Sequence, residues 1–204
     1  MARTIAKITN AVKFYDKHKV LDDISLNIQE GELLGLIGLI GPSGSGKTTT
    51  IKCLLGMEKL NSGRTEVFNH SMPHRRVLSH IGYMGQSNSL YESLSAKENL
   101  NFFGHLAGLK GNQLTESISK NLSLVNLEDV LNKTVNTFSG GMKRRLSLAI
   151  TLLSNPSLII LDEPTVGIDP KLRQQIWSQL KNLTQQGKSV IITTHVMDLS
   201  LIHI

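Results

Sequence analysis

A single cysteine, Cys53, stands in 204 residues, so no disulfide can close within the chain and the fold must hold without one. Cys53 falls on an expected helix among apolar neighbours, which makes it a buried core residue. No apolar run approaches the roughly 18 residues that span a bilayer, and the opening MARTIAKITN lacks the apolar centre of a signal peptide. The expected location is therefore cytoplasmic. Aromatic residues are scarce, at one Trp, three Tyr and five Phe, and none interleaves with the densest basic clusters, His74–Arg76 and Lys143–Arg145. The net charge of +6 is scattered along the chain. It reads as a solvated basic surface, and no nucleic-acid partner is expected.

What is present is alternation. Strands are expected at Ile5–Val12, Ile24–Gln29, Leu33–Ile40, Arg64–Phe68, Ile81–Met84, Ser157–Leu161 and Ser189–Thr194. Four of them, from Leu33, Ile81, Ser157 and Ser189, are mostly apolar end to end, as parallel strands covered on both faces must be. Helical spacing marks Lys47–Leu55, Ala96–Leu106, Gln113–Leu124, Gly141–Leu153 and Lys171–Gln185, the last opened by Asp169 as a cap and Pro170 at the first helical position. An α/β architecture follows. Residues from about 87 to 153 carry almost no strand signal and are expected to form a helical subdomain inserted between core strands. The alternating N-terminal strands suggest a small antiparallel layer, and no long repeat or disordered linker interrupts the chain.

The strongest motif is Gly41-Pro42-Ser43-Gly44-Ser45-Gly46-Lys47-Thr48, which follows an apolar strand and opens a helix. Glycines bare successive N–H groups toward a β-phosphate, and the helix start adds roughly half a positive charge. Lys47 is placed to bridge β- and γ-phosphates, Thr48 to bind Mg²⁺, and Thr49 follows in the same turn. Leu158–Pro164, LIILDEP, then brings adjacent acids to a strand's C-terminal edge, where ligands of open α/β sheets gather. Asp162 is expected to hold the metal through water, and Glu163 to act as general base.

In that order of motifs the chain resembles the ATP-binding cassette of ABC transporters. After the phosphate loop come GYMGQ with Gln86, FSGGM, LDEP, GID and TTH. The resemblance covers nearly the whole chain and implies a P-loop NTPase (RecA-like) core with a mixed, mainly parallel sheet, in a single nucleotide-binding domain over residues 1–204. It implies that Gln86 senses the metal and the membrane partner, that Asp169 belongs to a loop crossing between subunits, and that His195 touches the γ-phosphate. Tyr15 resembles the aromatic residue on which adenine stacks, a plain strand aromatic being the alternative. Ser139 with the Gly140–Gly141 amides would grip the γ-phosphate held by the partner's loop, giving a head-to-tail dimer, a homodimer by expectation. ATP and Mg²⁺ are the implied cofactors.

FSGGMKRRL with PTVGIDP is similar to cassettes that power export of drugs, antibiotics or other hydrophobic compounds through a separate transmembrane permease. That places the protein peripherally on the inner face of the cell membrane. A soluble cassette ATPase acting on ribosomes or DNA is the alternative, and an inactive truncated chain a third. Two departures from the family bear on the last. GLIGLIG at 35–41 doubles a Gly-Leu-Ile, adding three residues for which a bulge or slack near Glu30–Glu32 is expected. The closing Leu199–Ile204, LSLIHI, is what CTGTCTCTTATACACATC encodes, a sequence resembling a common transposon-derived sequencing adapter, so a reading frame cut short past His195 is expected.

Overall fold

The computed structural model describes residues 3–37 and 46–194. Two long strands open the chain, β1 (Thr4–Tyr15) and β2 (His18–Gln29), joined by a two-residue hairpin in which Asp16 takes φ 51°. β3 (Leu33–Ile37) and α1 (Lys47–Leu54) follow, then β4 (Ser62–Val67), β5 (His70–Ser71), α2 (Arg75–Leu78) and β6 (Ile81–Met84). Between β6 and β7 (Leu158–Asp162) stand three α-helices, α3 (Ala96–Leu106), α4 (Gly111–Val125) and α5 (Gly140–Leu152), with two short 3₁₀ turns and no strand of either sheet. Helix α6 (Pro170–Gln185) and β8 (Ser189–Thr194) close the described chain.

The strands divide into an antiparallel sheet, β2-β1-β4-β5, and a parallel one, β3-β8-β7-β6. Side chains of the parallel sheet alternate between two cores, as a period of two requires. Leu158, Ile160 and Ile191 pack with Ile8, Ile28, Ile51, Leu54 and Val67 against α1 and the antiparallel layer. Ile159, Leu161, Val190 and Ile192 pack with Leu100, Leu146, Leu152, Ile176 and Leu180 on the helical side. Cys53 is buried and free.

Some elements run differently from expectation. β2 begins six residues before Ile24, because hairpin pairing of Tyr15 with His18 and Phe14 with Lys19 carries the charged segment along β1 without an apolar face to announce it. β5 and α2, of two and four residues, are too short to show a period. β3 pairs in continuous register with β8 from Leu33↔Val190 to Ile37↔Thr194, so no bulge lies there. Glu30–Glu32 is a tight turn with Gly31 at φ 74°. The rest of the doubled stretch, Gly38–Gly41, lies outside the described residues, as does the chain from His195 onward.

Candidate functional site

The parallel strands all point their carboxyl ends the same way, and of the residues singled out in the sequence Gln86, Asp162 and Glu163 sit at or just past those ends. Gly41, Pro42, Ser43, Gly44 and Ser45 lie outside the described residues. Gly46 begins the described part and caps α1 at φ 79°; a Cβ there would meet Leu21 Cδ2 at 2.9 Å and the Val20 carbonyl at 3.0 Å, so glycine is required by both conformation and space. Lys47, Thr48 and Thr49 form the first turn of the helix, half-buried.

Thr48 is the meeting point. Its Oγ1 donates to Asp162 Oδ2 at 2.9 Å and accepts from Gln86 Nε2 at 3.1 Å. Three side chains separated by up to 114 residues thus converge, although β3 and β7 are not neighbours in the sheet. Asp162 is 1% exposed and its other carboxylate oxygen accepts from Thr193 Oγ1. A cavity of about 510 Å³ opens beside them, lined by Thr48, Gln86, Asp162, Tyr83 and Phe103 among others. Burial, aided by the Asp162 charge, pushes the Tyr83 hydroxyl pKa up, with Arg144 opposing. The donor set is a hydroxyl, a carboxylate and an amide. Hard oxygen groups of this kind suit Mg²⁺, which keeps waters and takes one or two carboxylates together with substrate phosphates. Among the described residues no group of three or more His, Cys, Asp or Glu side chains could cage a metal alone.

Glu163 departs from the strand geometry expected of it. β7 ends at Asp162, and Glu163 stands at φ 56°, a conformation that L-residues with a Cβ adopt only when held. Its amide donates to Thr193 Oγ1 at 3.1 Å and to the Thr193 carbonyl at 3.2 Å. Its side chain is nearly buried.

Ser139 caps α5, its hydroxyl accepting from the Met142 amide at 3.2 Å, and Gly140 and Gly141 are the first two helical residues. Asp169 caps α6 in the same way, accepting from the Leu172 amide at 2.9 Å, with Pro170 first in the helix as expected. Tyr15 ends β1 with 40% of its surface exposed and Lys13 Nζ 4.9 Å from its ring centroid. His195 follows β8 and lies outside the described residues.

The cluster Lys143–Arg145 is not the solvated basic surface that composition suggests. Lys143 pairs with Glu92 at 2.7 Å, and Arg145 donates to the carbonyls of Val125 and Asn126. Arg144 is only 5% exposed, its guanidinium spent on carbonyls of two loops. Burial pushes its pKa down, while Asp162, Glu163 and Tyr83 push it back up. Sequence reasoning missed Arg144 and Thr193. For Arg144 no local signal existed, since its partners are backbone carbonyls of two distant loops.

Comparison with known proteins follows the same outline. The ABC transporter family matches residues 21–166. A Nod factor export ATP-binding protein I from Cupriavidus metallidurans is 39% identical over 196 residues, covering 95% of this chain and 64% of that protein. A protein of the same name from Sinorhizobium fredii is 40% identical over 194 residues, covering 94% of this chain and 56% of that protein. The chain thus spans about three fifths of the length of these curated relatives. Among solved structures, a dimeric ATP-binding cassette in a post-hydrolysis state bound to ADP and Pi superposes with a TM-score of 0.84 at 28% identity, over 97% of this chain and 90% of that one. A subunit of the ABC transporter complex cbiONQ from Clostridium perfringens gives 0.81 at 27% identity, over 96% and 80%.

Proposed function

Because the chain belongs to the ABC transporter family, we propose that it binds ATP with Mg²⁺ and hydrolyses it to power export through a separate membrane subunit. The observation that carries this reading is the convergence of Thr48, Asp162 and Gln86 at the start of the helix that Lys47 opens. Lys47 draws the β- and γ-phosphates to that helix start, and Thr48, Asp162 and Gln86 are the residues that would hold the metal. The chemistry Mg²⁺ supplies there is neutralisation of phosphate charge. Glu163 accepts the proton of a water whose oxygen bonds to the γ-phosphorus as the bond to the β–γ bridging oxygen breaks, leaving ADP and inorganic phosphate. Tyr15 presents a ring face for adenine, and His195 is assigned to the γ-phosphate on family grounds.

A second cassette completes each site in this proposal. Ser139 and the Gly140–Gly141 amides take the γ-phosphate bound by the partner, head to tail, and Asp169 lies in the loop between subunits. Solved relatives support the pairing, since one is dimeric and another is part of a transporter complex. Among the described residues no helix is long and apolar enough to cross a membrane, so the path for substrate is assigned to a permease, with the cassette held at the inner face of the cell membrane. An exposed aromatic patch, Tyr91 and Phe102 with ring centroids 5.0 Å apart, and Phe103 in the Gln86 cavity, is the surface offered to it. A drug or other hydrophobic compound is the proposed cargo, and the direction is supported by relatives named for Nod factor export.

The test is a pair of variants. Glu163→Gln should keep ATP binding and lower hydrolysis at least about a hundredfold, the scale of a lost general base. Lys47→Ala should instead weaken nucleotide binding itself. Turnover unchanged by Glu163→Gln would remove that residue from the mechanism, and equal ATP affinity before and after Lys47→Ala would count against the phosphate loop.

A further inference from the structure

We infer that Arg144 is a positioning residue for the proposed hydrolysis: its guanidinium ties helix α5 to the backbone of Gln86 and to the backbone of the Asp162–Glu163 pair at once. The inference rests on the ATPase reading above for its kinetic consequence, but its geometry stands alone. Nη1 donates to the carbonyls of Gly85 at 2.8 Å and Gln86 at 2.9 Å. Nη2 donates to the Glu163 carbonyl at 2.8 Å and to that of Asp162, and Nε reaches the Glu163 carbonyl at 3.1 Å. Each of the three nitrogens is therefore spent on backbone of a loop that carries a candidate site residue.

A guanidinium is suited to this task because its donors leave one rigid plane in fixed directions. Two loops fastened to the same plane cannot shift independently. Gln86 and Glu163 follow neighbouring parallel strands, β6 and β7, and Arg144 sits one turn past Gly140 on the helix that Ser139 caps. Motion of that helix end is thus transmitted to both loops through one side chain. Glu163 has particular need of it. At φ 56° its backbone lies in a region that its surroundings must impose. Thr193 holds it from the amide side and Arg144 from the carbonyl side. At 5% exposure Arg144 is placed to steer Glu163 through the backbone rather than to meet the nucleotide. Its neighbours Lys143 and Arg145 make no such link, one pairing with Glu92 and the other reaching the end of α4.

Arg144→Met keeps the unbranched stem of the side chain and removes every donor. In the purified protein it should lower kcat for ATP by about ten- to a hundredfold, the cost of a reacting group displaced by roughly an ångström, while ATP affinity moves less than about threefold. Arg144→Lys, with charge but a single donating centre, should fall between. Amide hydrogen exchange gives a readout free of turnover. Segments 85–88 and 163–166 should exchange faster together in Arg144→Met, with the β1–β2 hairpin unchanged. Wild-type kcat and exchange in a folded Arg144→Met protein would overturn the inference, as would ATP affinity and turnover falling in step, the mark of general loosening. Should Arg144→Met fail to fold, Arg144→Lys decides: reduced kcat at unchanged ATP affinity supports the inference, and wild-type kcat overturns it. A wild-type protein that hydrolyses no ATP refutes the functional proposal instead, and the exchange arm still decides the role of Arg144.

Discussion

Two adjacent glycines at the start of α5 should respond in opposite ways to the same methyl group. Neither Gly140 nor Gly141 has positive φ, so alanine meets no conformational barrier at either. A Cβ on Gly141 would stand 2.6 Å from the Gly167 carbonyl oxygen, where ordinary contact begins at 3.4 Å, so helix and loop must part by about 0.8 Å. The obstacle is backbone, not a side chain that can swing away. Overpacking of this kind costs about 1–3 kcal/mol, and the gain from replacing glycine in a helix returns about 0.5–1 kcal/mol. The net loss for Gly141→Ala is up to about 2.5 kcal/mol and centres near about 1.3 kcal/mol, which lowers Tm by about 3–5 °C at the centre of that range in a chain of this size. A Cβ on Gly140 meets nothing within 4 Å, so Gly140→Ala should leave Tm within about 2 °C of wild type or raise it. Thermal unfolding followed by circular dichroism measures both. If Gly140 faces a partner's γ-phosphate, its alanine variant should also lose ATP-dependent dimer trapping, scored by size exclusion with Glu163→Gln in the background, while remaining stable. Equal Tm losses at the two positions would refute the packing argument, and undiminished trapping in Gly140→Ala would remove this helix end from a shared site.

Two further outcomes are expected. Ser95 caps α3 in a reciprocal box with Glu98, and the hydrogen bonds from Ser95 N–H and O–H hold the Glu98 carboxyl below its ordinary 4.5. A depressed carboxyl stabilises the fold above its unfolded value and loses that contribution as pH falls through the folded one; Ser95→Ala keeps the backbone bond and removes the hydroxyl's, so the gap in denaturant midpoint between it and wild type should hold steady from pH 7 to 6 and narrow below about 4.5, and a gap constant down to pH 3 would show that the Ser95 hydroxyl adds nothing to the carboxylate. Mixing Lys47→Ala with Ser139→Arg chains should restore about a quarter of normal nucleotide-trapping sites, because random pairing makes half the dimers mixed and each of those keeps one whole site. Trapping no higher than in either variant alone, with mixed dimers shown to form, would place both residues in one site of one chain.

Legibility followed contiguity. Leu158–Leu161 and Ser189–Thr194 announce buried parallel strands because both faces of each are covered, and Asp169-Pro170 announces a helix start because cap and proline act on adjacent residues. The hairpin half of β2 was hidden, since His18 and Lys19 are exposed and polar and offer no apolar face to alternate. Arg144 was hidden for a different reason: its partners are carbonyls as far as 59 residues away, and every residue has a carbonyl. Thr193 donates to Asp162 across 31 residues, and nothing in the string TTH distinguishes that hydroxyl from its neighbour's. The positive φ of Glu163 escaped because β7 and the acids after it read as one extended run.

Strand order explains why residues so far apart in sequence can serve one site. All four parallel strands deliver something to the same rim: β3 leads into the loop before Lys47 and Thr48, β8 ends in Thr193 and Thr194, β7 in Asp162, and β6 runs out two residues before Gln86. Neighbouring strands stand about 4.8 Å apart, so β3 and β7, with β8 between them, are separated by about 10 Å. The Thr48–Asp162 hydrogen bond spans that separation, joining the start of α1 to the end of β7. Thr193 of the intervening strand then contacts both acids from beneath, through Asp162 Oδ1 and the Glu163 amide. Position in the middle of the sheet gives β7 and β8 the fixed groups, while Gln86 reaches in from the residues after the edge strand β6. A displacement of the Gln86 side chain therefore reaches the Asp162 carboxylate through Thr48, while Asp162 keeps its hydrogen bond from Thr193, so the buried carboxylate is held from one side and its partners on the other side are the ones placed to respond to a ligand.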